Sequence, residues 1–285
     1  DLNFDNKEMR AAMIDAMKFW VDECDIDGYR CDLASWVEVD FWLQARAELE
    51  KTKTLFWLAE SDPLEKPTYY QAFDACYTWK WMHMTKEFYE GKLTLSFLID
   101  SVLKKYDAAC GSEKIPLWFT TNHDENSWNG TEYEKYGDMA KALAVFSFTW
   151  NGMPMIYSGQ ELPNLKRLKF FDKDVIAWDG KYALQEFYKT LITLKKNNSA
   201  LRTADANVVT FLLATDNPNV IAYLRKNGNS EVLVLLNMSK QTIRFEIKDQ
   251  HVTGKYKSIF GKAENDFTTE KFFEMQPWEY LIYEK

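Results

Sequence analysis

Cysteine and histidine are scarce in this chain. The 285 residues include four cysteines, Cys24, Cys31, Cys76 and Cys110, and three scattered histidines, His83, His123 and His251. No C-x-x-C pair occurs, so a structural zinc site is not expected, and the cysteines read as small buried hydrophobes. Long apolar runs are also missing. None reaches the roughly 20 residues that a bilayer-spanning helix needs. An excess of positive charge is missing too. Lys and Arg number 35 against 43 Asp and Glu, a formal net charge of −8. A nucleic-acid footprint needs clustered Lys and Arg, so that class is excluded. The first residues, "DLNFDNKEMR", do not have the pattern of a signal peptide. There is no internal repeat and no low-complexity segment.

What is abundant is aromatic. Eleven Trp, 15 Tyr and 19 Phe make up 16% of the residues. Such residues fill cores and domain interfaces, or line a cleft that stacks on sugar rings or other flat ligands. Composition does not separate the two.

The chain alternates between two periodicities. "NKEMRAAMIDAMKFWVDEC" places Met9, Met13, Met17 and Trp20 near helical spacing, with Asn6 or Asp5 as cap. "EVDFWLQARAELEKT", "LTLSFLIDSVLKKY", "EKYGDMAKALAVFSFTW" and "YALQEFYKTLITLKKN" read as further helices. Between them lie strand-like runs near 27–33, 54–60, 72–77, 115–121 and 153–157. Strands that alternate with helices, without hairpin signals, predict βαβ units and a parallel sheet. After about residue 199 the pattern changes to short runs divided by turn residues: "NVVTFLLAT", "VIAYLRKNG", "EVLVLLNMS", "IRFEIKD", "KYKSIFG" and "EYLIYEK". That predicts an antiparallel β-sandwich over 199–285, appended to an α/β part over 1–198.

The stretch "DIDGYRCDLASW", Asp25 to Trp36, is the most telling. Strand side chains alternate, so Arg30 and Asp32 share one face of a strand that otherwise reads as buried. Buried charges are almost always paired. Either the face is solvated or the pair is held for a purpose. Asp32 ends its strand, Glu60 ends "TLFWLAE" and Asp124 follows "LWFTTN". In an α/β barrel the carboxyl ends of the strands share one rim, where such folds place their active sites. Each acid could instead cap the helix that follows it. Three such acids, with Arg30 two residues before Asp32 and His123 beside Asp124, favour a shared chemical use. The cation would keep Asp32 ionised, and an ionised carboxylate is a nucleophile.

The motifs resemble those of the α-amylase family, glycoside hydrolase family 13. "DGYRCDLA" resembles the family's fourth-strand motif, which implies Asp32 as nucleophile with Arg30 as its partner. "WLAES" resembles the fifth-strand motif and implies Glu60 as general acid/base. "TTNHDEN" resembles the seventh-strand motif, in which the residues matching His123 and Asp124 bind the sugar and stabilise the transition state. "GMPMIYSGQE" looks like the eighth strand and its turn, and "QPWEYLIYEK" looks like the end of domain C. The implied fold is the C-terminal portion of a (β/α)8 TIM barrel, strands four to eight, followed by a β-sandwich. The implied activity is retaining hydrolysis of α-1,4-glucan in starch or maltodextrin.

Two features set the chain apart from many family members. Ser35 and Trp36 stand where Lys and His often follow the nucleophile. Trp36 and Trp128 are the candidate aromatic platforms for the glucan, each set against ordinary packing. The other feature is that only five strand-like runs precede the sandwich, whereas the barrel needs eight. The first three strands and domain B are therefore expected upstream of Asp1, and so is any calcium site. No cofactor or metal ligand is assigned within the chain. A transglycosylase using the same residues, or a carbohydrate-binding relative that has lost catalysis, are the competing readings.

Overall fold

A computed structural model describes residues 2–261 and 263–285. Helix α1 (Lys7–Cys24) starts where the Asn6 side chain accepts the backbone N–H groups of Glu8 and Met9. That satisfies two donors which the helix itself cannot use. The chain then runs through β1 (Gly28–Cys31), α2 (Val39–Leu49), β2 (Phe56–Ala59), β3 (Ala75–Tyr77), α3 (Trp79–Tyr89) and α4 (Leu95–Leu98). A π-helical stretch, Ile99–Leu103, leads into α5 (Lys104–Cys110). After it come β4 (Ile115–Trp118), α6 (His123–Trp128), α7 (Glu132–Tyr136), α8 (Met139–Thr149), β5 (Met153–Pro154) and α9 (Gln185–Asn197).

The chain forms two compact units. The first runs to Lys80 and adds Lys104–Leu117; the second holds Trp81–Leu103 and Trp118–Lys285. In the first unit β1, β2, β3 and β4 pair in that order, all parallel, with Gly28 opposite Phe56, Leu58 opposite Ala75 and Ala75 opposite Ile115. The strands show no hairpin because each is parallel to its neighbour and returns through a long crossover, through α2 from β1 to β2 and through α3 to α5 from β3 to β4. Their core is aromatic: Trp42, Trp57 and Phe73 pack edge to face at 5.4–6.3 Å. Cys31, Cys76 and Cys110 are buried, as the sequence predicts, and burial pushes the Cys31 and Cys110 thiols up to about 12. Cys24 departs from that reading. It ends the amphipathic α1 on its exposed side.

In the second unit the Met155 N–H donates to Trp118 O at 2.9 Å, which attaches the short β5 to the end of β4. Helix α8 is buried at every position except Lys141, as an apolar helix must be. Phe146 stacks on Trp81 at 4.7 Å and on Trp150 at 5.4 Å. The sandwich follows with β6 (Val209–Leu212), β7 (Val220–Asn227), β8 (Ser230–Asn237), β9 (Ile243–Glu246), β10 (Lys255–Ser258), β11 (Glu264–Asp266), β12 (Phe272–Met275) and β13 (Tyr280–Glu284). Six strands form one antiparallel sheet, in the order β11-β10-β13-β8-β7-β6, and β12 pairs β9 in a second. Arg225, 1% exposed, ties the sandwich to the segment after α9 through the carbonyls of Ala200 and Arg202.

Candidate active site

Gly28 is the residue that lets β1 approach β2. A Cβ there would lie 2.1 Å from Phe56 O, so no larger residue fits. Two residues on, Arg30 leaves the strand with a side chain 28% exposed. Its Nη1 pairs with Asp32, and its Nη2 lies 3.2 Å from Glu60 Oε1. The Tyr77 hydroxyl, at the end of β3, lies 3.4 Å from Nε, and the Tyr77 ring centroid is 5.6 Å from the guanidinium carbon. Burial works against the charge. Tyr77, Asp32 and Glu60 outweigh it, and the Arg30 pKa is raised.

Glu60 follows the last residue of β2, and its own N–H continues the parallel ladder by donating to Cys31 O at 3.0 Å. Its side chain is 10% exposed. Oε2 accepts the Leu33 N–H at 2.8 Å. Leu33 has φ 42 and ψ 41, a left-handed conformation that costs an L-residue about 1 kcal/mol or more. The turn that follows Asp32 therefore spends strain on a bond to Glu60. Asp32 itself is 70% exposed on its side chain. Of the two readings of the Arg30–Asp32 pair, solvated face or held pair, each describes one end. The carboxylate faces solvent, and the guanidinium is held.

The backbone beyond Glu60 is pinned by Asp62, which is 3% exposed. Its carboxylate accepts the N–H groups of Leu64 and Lys80, each at 2.8 Å, and the Tyr106 hydroxyl. Burial raises the Asp62 pKa against those three donors.

In the second unit, His123 and Asp124 open helix α6 after β4. Asn122 caps the helix by accepting the Glu125 N–H at 2.7 Å. His123 Nε2 lies 3.4 Å from Asp124 Oδ2, with side chains 52% and 33% exposed. Burial, and then the Asp124 charge, raise the Tyr157 phenol. The next residue, Glu125, is turned inward onto Lys135 at 3.0 Å. Burial alone would raise its pKa, but His83 and Lys135 hold it down at about 2. Of the adjacent acids, one is spent on structure and the other is left accessible.

The structure thus brings Arg30, Asp32 and Glu60 together in one unit and His123 with Asp124 in the other. Trp36 ends a 3₁₀ turn, 75% exposed, and lines an apolar groove with Phe4, Met13, Met17 and Phe41. Trp128, 54% exposed, is the last residue of α6. Among the described residues no group of three or more His, Cys, Asp or Glu is placed to hold a metal ion.

The family model "Alpha amylase, catalytic domain" matches residues 1–204, and "Maltogenic Amylase, C-terminal domain" matches 209–282. The chain belongs to the α-amylase family. An α-amylase-family relative from Dictyoglomus thermophilum, "Alpha-amylase 2", is 25% identical over 275 residues, covering 91% of this chain and 46% of the relative. A cyclomaltodextrinase of Geobacillus thermopakistaniensis is 27% identical, covering 84% of this chain and 41% of its own. The chain spans less than half the length of these two relatives. The crystal structure of a maltogenic α-amylase from Thermotoga neapolitana superposes with a TM-score of 0.86 at 27% identity, over 100% of this chain and 67% of that one. The fold is accordingly the C-terminal portion of the family's (β/α)8 barrel, followed by its antiparallel C-terminal sandwich.

Sequence reasoning did not find Tyr77 or Asp62. Tyr77 ends the weakest strand signal, "QAFDACYTW", and Asp62 lies two residues past Glu60 in "AESDP". A tyrosine at a strand's carboxyl end, on a face with Arg30, was the available clue to the first. For the second only the Leu64 N–H, two residues on, is local; the Lys80 N–H and the Tyr106 hydroxyl come from distant helices.

Proposed function

We propose that the intact protein is a retaining α-glucan hydrolase, cleaving α-1,4-glucosidic bonds of starch or maltodextrins. The observation that supports this most is the single guanidinium, Arg30, between Asp32 and Glu60. A retaining glycosidase needs two carboxyl groups about 5–5.5 Å apart, one as nucleophile and one as acid and then base. A shared planar cation keeps the nucleophile ionised and fixes two carboxyls as a unit.

In the first step the ionised Asp32 attacks the anomeric carbon. The glycosidic bond breaks, and its oxygen leaves with the proton of Glu60. The product is a glycosyl ester on Asp32. In the second step the ionised Glu60 takes a proton from water, whose oxygen attacks the same carbon and releases Asp32. Asp124 and His123 hold sugar hydroxyls while positive charge develops on the ring. No helix among the described residues is long and apolar enough to cross a membrane, and the partner is a glucan chain.

The names of the relatives, α-amylase and cyclomaltodextrinase, support an α-glucan substrate. Transfer to a second sugar is the alternative, favoured by one observation: the 75% exposed Trp36 could hold an acceptor ring. Asp32→Asn in the intact protein tests the main reading. Maltoheptaose hydrolysis should fall by at least roughly 10³-fold with the melting temperature retained. Undiminished hydrolysis would end the proposal, and transfer products longer than the substrate would replace water by sugar in the second step.

A further inference from the structure

We infer that Trp128, Phe170 and Phe171 form a second glucan-holding platform, which stacks on pyranose rings at the far end of the helix that begins with His123 and Asp124. This rests on the reading of the protein as an α-glucan hydrolase. Soluble proteins seldom leave large apolar side chains together in water without a use. Here Phe171 is 85% exposed, Trp128 54% and Phe170 44%. They touch in a closed triangle: Trp128 to Phe170 at 5.1 Å, Trp128 to Phe171 at 5.8 Å and Phe170 to Phe171 at 5.0 Å. The rings border a cup of about 390 Å³, with Ser127, Lys169 and Asp172 also in its lining.

That combination fits a sugar better than a protein surface. The C–H face of a pyranose is apolar and slightly positive, and rests on the negative face of an aromatic ring. Its hydroxyls project sideways and need donors and acceptors at the edge, which Ser127, Lys169 and Asp172 supply. Lys169 and Asp172, 3.7 Å apart at the rim, keep that edge polar and charged.

The platform is preorganised. Asn126, 3% exposed, accepts the Leu168 N–H at 2.8 Å and donates to Lys166 O at 3.3 Å, so α6 is clamped to the segment that carries the phenylalanines. Arg167 pairs with Glu134 at 3.0 Å, and Asp174 pairs with Lys166 while accepting the Lys169 N–H at 3.1 Å. The Asp174 carboxyl is lowered to about 2, by the Lys166 bond first and by the Lys169 and Val175 N–H groups after it. A site already ordered loses little freedom on binding. Helix α6 has six residues, about 9 Å at 1.5 Å per residue, so the platform lies within a few sugar units of Asp124.

The test is maltoheptaose binding by the intact protein carrying Asp32→Asn, which leaves the glucan unconsumed, followed by calorimetry. Phe171→Ala should weaken binding roughly tenfold, the worth of one stacked ring, while Phe171→Tyr should restore it. Val175→Ala, a 64% exposed apolar residue on the same segment, should leave binding as it was. Equal affinity in Phe171→Ala, or an equal loss in Val175→Ala, would overturn the platform. So would a dimer that Phe171→Ala dissociates, because the rings would then serve a second copy of the chain. If wild type hydrolyses glucan and Phe171→Ala still binds it normally, only the platform fails. If wild type hydrolyses none, the functional reading fails with it.

Discussion

Arg30 lies 3.2 Å from Glu60 through one Nη and pairs with Asp32 through the other. One cation between two carboxylates answers a question of charge and one of geometry together. It lowers the cost of placing two acids side by side, and its planar fork sets their orientation. The Tyr77 ring and hydroxyl on its far side limit where the guanidinium can go.

A lysine in its place would keep the charge and lose the fork. Arg30→Lys should therefore lower kcat on maltooligosaccharides by about 10²-fold, the cost of a misplacement near 1 Å, with a melting temperature close to wild type. An activity within twofold of wild type would show that the charge alone suffices.

The position before it is a matter of space. With Phe56 O only 2.1 Å from a Cβ at residue 28, Gly28→Ala must push β1 from β2. Overpacking of this kind costs about 1–3 kcal/mol. The urea midpoint should fall accordingly, and activity should fall further than stability, because Arg30 and Asp32 move with the strand.

These residues also show what could be read from the chain alone. The strand ends followed directly by Asp32 and Glu60 are legible because apolar runs and turn residues mark them locally, whereas Asp124 stands six residues beyond β4, in the first turn of α6. The breaks inside helices are not legible. "EKYGDMAKALAVFSFTW" reads as one helix, yet Gly137 at φ 49 divides it into α7 and α8. "LTLSFLIDSVLKKY" reads likewise, yet it holds a π-helical stretch between α4 and α5. The sequence reading also assigns no helix over Trp79–Tyr89, where the structure has α3. β5 shrinks to two residues, one of them Pro154, which has no N–H for a ladder. In the sandwich, β11 and β12 escaped notice, since "END" and "FFEM" lie between turns and carry few β-branched side chains. Phe170 and Phe171 sit in a segment without helix or strand, where periodicity says nothing.

Glu132 offers a stability test at neutral pH. It is 3% exposed and accepts the Thr120 hydroxyl at 2.6 Å and Gln160 Nε2 at 2.7 Å, joining the chain beyond β4 to the turn after β5. Burial raises its carboxyl to about 7, against the pull of Thr120, Gln160 and Lys135. The unfolded chain loses this proton near the ordinary 4.5, while the fold keeps it. The contribution is therefore full below about 4.5 and is lost as pH rises through about 7. Its size is about 3 kcal/mol. Glu132→Gln removes the titration, so the difference in unfolding free energy between variant and wild type should grow in the variant's favour between pH 5 and pH 8. A difference that does not change with pH would mean the carboxyl titrates alike in both states.

The sharpest separation of roles comes from Glu60. If it is the acid and then the base, its loss should hurt each step in proportion to that step's need for a proton transfer. Glu60→Gln keeps the size of the side chain, an oxygen for the Leu33 N–H and a group opposite Arg30. It removes the proton and the negative charge. Hydrolysis of maltoheptaose should fall by about 10²–10⁴-fold, the usual worth of a positioned general acid or base. A maltosyl compound whose leaving group departs without a proton should still react with Asp32, because the nucleophile is untouched. The second step should then stall, since no base remains to take the proton from water. A glycosyl ester should accumulate, seen as a burst of leaving group and as a sugar mass on the peptide that carries Asp32. Glu60→Gln with full activity on maltoheptaose would remove Glu60 from the chemistry. The same mass on any peptide other than that of Asp32 would move the nucleophile elsewhere.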